Sequence, residues 1–265
     1  MTDDIDTFEE KPADPRPTDP RPADPWSALR RHTAARIALG RSGDGLPTRH
    51  LLDFQLAHAR ARDAVHFAFD PEAIAASLPP GLAAVTVRSR APDRATYLQH
   101  PDLGRRLDPE DLPLLRRGEY DVAFVLADGL SARAVHDHAA SLLLATLDLL
   151  PGWRAAPVVL ARQARVALGD EIAAALGAAS VVMLIGERPG LSAADSLGAY
   201  LTFGPRPGLQ NADRNCVSNI RPDGLAIPPA ARKLAFLLAE ARRLKLSGVG
   251  LKDDVPADLL APPDP

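Results

Sequence analysis

One cysteine, Cys216, stands among 265 residues, so no intramolecular disulfide can form and a zinc site built on several thiolates is excluded. A reducing cytoplasm is the compartment such a chain is expected to occupy. Charge of one sign is not in excess either. Lys and Arg number 31 against 34 Asp and Glu, a formal net charge of -3, which implies neither a nucleic-acid footprint nor a basic membrane patch. No uninterrupted apolar run approaches the roughly 18 residues a bilayer crossing needs. The opening Met1-Thr-Asp-Asp-Ile-Asp6 lacks the positive start and apolar run of a secretory signal. A soluble intracellular protein is expected, without nucleic acid or membrane as a partner.

Several catalytic fingerprints are absent as well. No G-x-G-x-x-G follows a strand-like run, no G-x-x-x-x-G-K-[ST] occurs, and Ser131 after Gly129 lacks the second glycine of a nucleophile elbow. His136, Asp137 and His138 suggest a metal site at first sight. On a helix, however, positions two apart point about 200° away from each other, so these side chains are read as surface or capping groups. No metal site and no independent catalytic set is assigned.

What is present is an α/β rhythm behind a proline-rich start. Residues 1–25 carry the small repeat Asp14-Pro-Arg-Pro and Asp19-Pro-Arg-Pro. Ordering them would cost about 1–2 kcal/mol each, far more than Ile5 and Phe8 can return, so a disordered tail is expected. Trp26 marks the start of order, with one short helix expected over 25–39. Pro47 to Phe67 reads as a longer helix with an apolar stripe at Leu52, Leu56 and Ala59 and a polar one at His58, Arg62 and His66. A short helix over 72–78 and an alternating strand at Ala84–Arg88 follow. Prolines 101, 109 and 113 break the next stretch into short helices or loops. From Asp121 onward, strands at 122–126, 157–161 and 181–185 alternate with helices at 132–150 and 170–176. Tyr200–Phe203 and Cys216–Ile220 read as the last strands, and 228–246 as a closing helix; the chain beyond Lys252 is expected to be loose. This order predicts an α/β fold: a helical N-terminal region over 26–115, then a Rossmann-like, mostly parallel sheet flanked by helices over 116–265.

The strand at Val181–Ile185 runs into Gly186-Glu-Arg-Pro-Gly190. In open α/β sheets ligands sit beyond the carboxyl ends of strands, where backbone N–H groups are free. Glu187 at such an end either accepts hydrogen bonds from ligand hydroxyls or forms a salt bridge with Arg188 or another arginine. Cys216 reads as a buried small hydrophobe at a strand start, since no base that would activate it is evident.

At these residues the sequence resembles the small subunit (light chain) of the ethanolamine ammonia-lyase family. The blocks that carry the resemblance are Thr33-Ala-Ala-Arg-Ile37, Leu46-Pro-Thr-Arg49, Asp53-Phe-Gln-Leu-Ala-His-Ala-Arg-Ala-Arg-Asp-Ala-Val-His66, Arg162-Gln-Ala-Arg-Val166, Ile185-Gly-Glu-Arg-Pro-Gly-Leu191 and Asp213-Arg-Asn-Cys-Val-Ser-Asn-Ile220. Together they span most of 26–248. The resemblance implies a hetero-oligomer with a TIM-barrel large subunit that holds the substrate, and adenosylcobalamin between the two chains. It implies radical conversion of ethanolamine to acetaldehyde and ammonia. By motif, Val166, Glu187 and Cys216 fall on the family's cofactor-contacting positions. The Asp-x-His-x-x-Gly pattern of base-off cobalamin proteins is missing, so no histidine here is expected to replace the cofactor's own lower base. A cytoplasmic location is implied, with a bacterial microcompartment as the family's other setting; the acidic, proline-rich tail does not look like an amphipathic address. The rivals are a non-catalytic scaffolding subunit of the same assembly and a stand-alone nucleotide-dependent oxidoreductase.

Overall fold

A computed structural model describes residues 25–33 and 35–256. The expected disorder of 1–25 falls outside these residues for all but Pro25, and the end of the chain from 257 onward is outside them as well. The chain divides into two compact units, 1–52 and 53–265. In the first, a 3-10 turn over Pro25–His32 stands where a longer helix was expected, and a tight bridge joins Ser42 to Gly45. Helix α1 (Thr48–His66) begins in this unit and continues into the second.

The second unit is built on one six-stranded sheet in the order β1-β3-β2-β4-β5-β6. The strands are β1 (Ala84–Arg88), β2 (Tyr120–Ala127), β3 (Val158–Arg162), β4 (Ala178–Gly186), β5 (Leu197–Phe203) and β6 (Asn215–Ile220). The first four run parallel, whereas β5 and β6 are antiparallel to their neighbours. Short segments between β4 and β6 cannot provide crossovers, so the chain turns back on itself there. Strand β1 pairs along its whole length with β3 and so belongs to this same sheet.

Local chemistry explains where the helices begin and end. Helix α2 (Pro71–Ser77) takes Asp70 as its N-cap, and α3 (Arg94–Gln99) takes Asp93. Helix α4 (Ala132–Asp148) is capped by Ser131 and stops before Pro151-Gly152. Helix α5 (Leu168–Leu176) ends at Gly177 with φ 77°, a left-handed turn. Helix α6 (Ile227–Leu244) opens with Pro228 and Pro229 in its first turn, where missing N–H groups cost nothing.

Two apolar layers sandwich the sheet. On one face Phe124, Leu126, Leu160, Leu184 and Leu201 pack against Leu142 of α4 and Leu234 and Leu238 of α6. On the other, Val125, Val159, Val181 and Met183 pack against Leu168, Ile172 and Leu176 of α5. Each such fully buried side chain contributes about 1.5–3 kcal/mol of transfer free energy. Of the apolar stripe read on α1, Leu52 and Leu56 are exposed and Ala59 is half-buried, and the helix's one buried residue is Ala64, with Ala57 and Ala61 half-buried beside it. No helix among the described residues is long and apolar enough to cross a membrane.

Candidate functional site

The connections leaving β2 and β4 diverge. From β2 the chain passes through α4 to β3 on one side, while β4 lies on the other. Ligand crevices form at such a reversal, beyond the carboxyl ends of the strands. A crevice of about 420 Å3 opens at this point, lined by Gly129 and Leu130 after β2, Arg165 and Val166 after β3, Ile185 to Arg188 at the end of β4, and Tyr97 and Tyr200. That volume is in the range of small-molecule sites.

Two glycines make the floor. Leu130 N–H donates to Gly186 O at 2.9 Å, which draws the two strand ends together. A Cβ at Gly129 would lie 2.2 Å from Gly186 O, and one at Gly186 would lie 2.0 Å from Ser131 O. Neither position tolerates a side chain. Gly129 also adopts φ +56°, which favours glycine.

Glu187 follows the last residue of β4 and is half-buried. Its carboxylate accepts a hydrogen bond from Ser196 Oγ and one from Asn219 N–H at 3.2 Å. Among the described residues no arginine stands within ion-pair distance of it, so of its two expected roles the salt bridge to Arg188 is not the one adopted. The Asn219 contact has a specific origin. The pairings Leu197↔Ile220 and Ala199↔Val217 differ by one residue, so β6 carries a bulge, and Asn219 sits at φ 57°. Asn tolerates that conformation better than most residues, and it turns the N–H toward Glu187. Gly198 of β5 lies beneath: a Cβ there would come within 3.1 Å of Glu187 Cγ and Oε1.

Val166 lines the crevice across from Glu187. Cys216 stands one strand further out, opposite Tyr200 in the β5–β6 register. The expectation that it is a buried small hydrophobe is corrected here: Cys216 is exposed. Alternation is the reason, since the neighbouring Val217 takes the covered face and Cys216 and Ser218 point the other way. The sulfur is nonetheless closely surrounded, and this desolvation raises the thiol pKa, with the Glu187 charge adding to the rise and a hydrogen bond with Tyr200 opposing it. Burial likewise raises the Tyr200 hydroxyl, with Cys216 and Glu187 adding to the effect. Glu187, Tyr200 and Cys216 thus form one polar cluster that starts on the crevice wall with Glu187 and Tyr200 and ends at Cys216 outside it, and among the described residues the raised thiol has no base placed to activate it.

Three residues not anticipated from the sequence also shape the site, Asp128 and Arg94 from behind and Tyr97 from its lining. Asp128 is buried, and its carboxylate accepts Gly129 N–H at 2.8 Å and Ala164 N–H at 3.0 Å on Oδ1, and Gln163 N–H at 2.8 Å on Oδ2. Burial pushes its pKa up to about 6, opposed by those N–H groups and by Arg94. Arg94 donates to Gly129 O at 2.8 Å and to Val65 O at 3.0 Å. Tyr97 is held between the Arg94 and Arg165 guanidinium groups, 4.9 and 4.4 Å from its ring centre, and donates to Ala164 O at 2.8 Å. Asp-Gly after a strand was the only local signal for any of them.

The two histidines of α4 go to separate partners. His136 Nε2 accepts Asp70 N–H at 3.1 Å, while His138 lies 3.8 Å from Asp195. Among the described residues no group of three or more His, Cys, Asp or Glu is placed to hold a metal ion.

Residues 23–252 match the model of the family described as ethanolamine ammonia-lyase light chain. The chain belongs to the ethanolamine ammonia-lyase light-chain family. It is 56% identical over 238 residues to the ethanolamine ammonia-lyase small subunit of Azotobacter vinelandii, covering 86% of this chain and 88% of that one. It is 54% identical over 244 residues to the small subunit of Ralstonia nicotianae, with 89% and 90% covered. The small subunit of Pseudomonas syringae pv. tomato is 52% identical over 248 residues, with 90% and 86% covered. Membership in the light-chain family makes this chain a component of a lyase, and it includes the crevice and the β5–β6 cluster within the matched span.

Proposed function

We propose that the chain acts with an ethanolamine ammonia-lyase large subunit, and that its crevice and the adjoining face of β5 and β6 cover one side of adenosylcobalamin. The observation that carries this reading is continuity: Val166 and Glu187 face the crevice at the sheet reversal, and the polar cluster runs without interruption through Tyr200 to exposed Cys216. A corrin-based cofactor is far larger than a 420 Å3 crevice. This chain therefore supplies one wall, and a second chain is needed to enclose the rest.

The residues present suit that group. Ser196 and Asn219 donate to Glu187 and hold its carboxylate in place, so its remaining lone pairs are available to amide or hydroxyl hydrogens of a ligand. Val166 gives an apolar contact, and Cys216 a small neutral one. When bound, the group supplies a radical by homolysis of its cobalt–carbon bond. The contribution of this chain is to orient and to exclude water from that face; the substrate-binding groups are expected on the large subunit.

The test is a deamination assay with adenosylcobalamin, using this chain alone, the large subunit alone and the two mixed. Activity only in the mixture is the expected result; activity from this chain alone would overturn the division of labour. Titration of the assembled enzyme should then show Glu187→Ala binding cofactor at least tenfold more weakly than wild type. Equal affinities would remove Glu187 from the contact.

A further inference from the structure

Ionised carboxylates are seldom buried without a close counter-charge, because desolvation is not repaid. Asp128 is 2% exposed; the Arg94 guanidinium pairs with it at 3.6 Å without a hydrogen bond, and the hydrogen bonds its carboxylate accepts come from three backbone N–H groups. We propose that Asp128 is a positioning residue of the cofactor crevice, whose carboxylate fastens the loop carrying Arg165 and Val166 to the end of β2. The inference rests on the reading that the crevice receives adenosylcobalamin.

The loop requires fastening. Gln163 adopts φ 53°, a left-handed conformation that a non-glycine residue holds only when its surroundings impose it. Three restraints impose it. Gln163 N–H donates to Asp128 Oδ2 at 2.8 Å, Ala164 N–H donates to Oδ1 at 3.0 Å, and Gln163 O accepts Ser89 Oγ at 2.6 Å. Asp128 provides two of these, and its Oδ1 also takes Gly129 N–H at the floor of the crevice. One side chain thus sets the spacing between Gly129, which forms the floor, and Val166, which forms the side. Arg94 completes the link by donating to Gly129 O. Only a carboxylate meets this demand, because each of its two oxygens must accept and neither may donate.

The charged and titratable groups around Asp128 come from several elements. Arg94 and Tyr97 face it from α3, and His66 from α1 and Arg162 from β3 line the same 300 Å3 cavity. Burial raises the carboxyl pKa to about 6. Protonation turns one oxygen into a donor facing an N–H group, which releases the loop, so cofactor affinity should fall as pH drops through this range.

The experiment uses the full chain assembled with the large subunit, adenosylcobalamin titration followed by absorbance, and hydrogen exchange of the 160–168 segment. Asp128→Asn is expected to bind cofactor at least tenfold more weakly at pH 7.5 and to exchange this segment at least tenfold faster. Wild-type affinity should fall about tenfold between pH 7.5 and 5, the Asp128→Asn value should stay flat, and His66→Gln should keep the wild-type slope. Wild-type affinity and exchange in Asp128→Asn would overturn the proposal, as would a slope that disappears in His66→Gln. Should Asp128→Asn fail to fold, the pH arm with wild type and His66→Gln decides alone. If wild type takes up no cofactor, the cofactor reading fails and the proposed role falls with it, while faster exchange in Asp128→Asn would still separate a fastened loop from a free one.

Discussion

The two halves of the sheet are built to different rules. Strands β1 to β4 are parallel, and β2 and β4 are buried on both faces, by α4 and α6 on one side and α5 on the other. Strands β5 and β6 are antiparallel, and cover of the second face thins across them: opposite the inward-packed Leu197, Ala199 and Leu201, β5 still buries Thr202 and half-buries Tyr200, whereas opposite Val217 and Ile220 the β6 residues Cys216 and Ser218 are exposed. Strands β2 and β4 read as near-continuous apolar runs and β6 as alternation about Val217, as expected for strands buried on two sides and on one. Cover of the second face ends only at β6, the strand next to the one that carries Tyr200 of the candidate site. The doubly covered strands hold the largest part of the core, and the proposed recognition site lies toward their border with β5.

One buried ion pair joins the halves, and breaking it should have the largest effect on the fold. Arg214, at the start of β6, donates to Asp170 of α5, and each side chain is 3% exposed. Asp170→Ala leaves an uncompensated guanidinium and should cost about 3–5 kcal/mol, whereas replacing both residues by apolar side chains of similar volume should recover most of it. Thermal unfolding of the two variants checks this. A double variant no more stable than Asp170→Ala would show that the pair fixes the junction rather than only neutralising itself.

The next effect is set by Asp128 at the border. Its folded pKa of about 6 lies above the ordinary carboxylate value of 3.8, so between these limits the folded state binds a proton that the unfolded state has released. Stability should therefore decline by about 3 kcal/mol as pH rises from roughly 4 to 6, and this contribution should be flat above that. Asp128→Asn should lack this decline in denaturant titrations across the same window; an unchanged slope would assign it to another group. On the proposed role, fold stability and cofactor affinity should respond to Asp128 ionisation in opposite directions, so measuring both separates a positioning group from a stabilising one.

The smallest expected effect compares the two faces of one strand. Val217→Ala removes two methyl groups from the covered face and should cost about 1.5–2.5 kcal/mol, while Cys216→Ser on the open face should stay within about 0.5 kcal/mol. Comparable losses in urea titrations would show that the face of Cys216 is covered after all.

Most strand and helix positions were legible because each depends on a local pattern. Ala84–Arg88 alternates, Val181–Ile185 is continuously apolar, and Ser131 caps the helix it precedes. Glu187 and Val166 were legible through the motifs around them, and the structure brings them to one crevice. What stayed hidden depends on distant partners. Asp128 meets the backbone of Gln163 and Ala164, 35 and 36 residues away, and nothing in Asp-Gly announces such a contact. The exposure of Cys216 was in principle readable, since Asn215 to Ile220 alternates about Val217, but the bulge at Asn219 interrupts the pattern after two turns of the pleat.

That bulge has a bearing on how chains meet. Strand β6 lies at the border of the sheet, with β5 on one side only. A straight border strand is a template onto which any extended segment can add, including another copy of the same protein. Here Asn219 turns its N–H back toward Glu187, and the Asn215 side chain ties the strand's start to Gly248 and Leu251. The ladder is interrupted where a foreign strand would have to continue it. Association along this border is thereby restricted to surfaces that match its side chains, and the protein is spared the indiscriminate growth to which an unbroken edge would expose it.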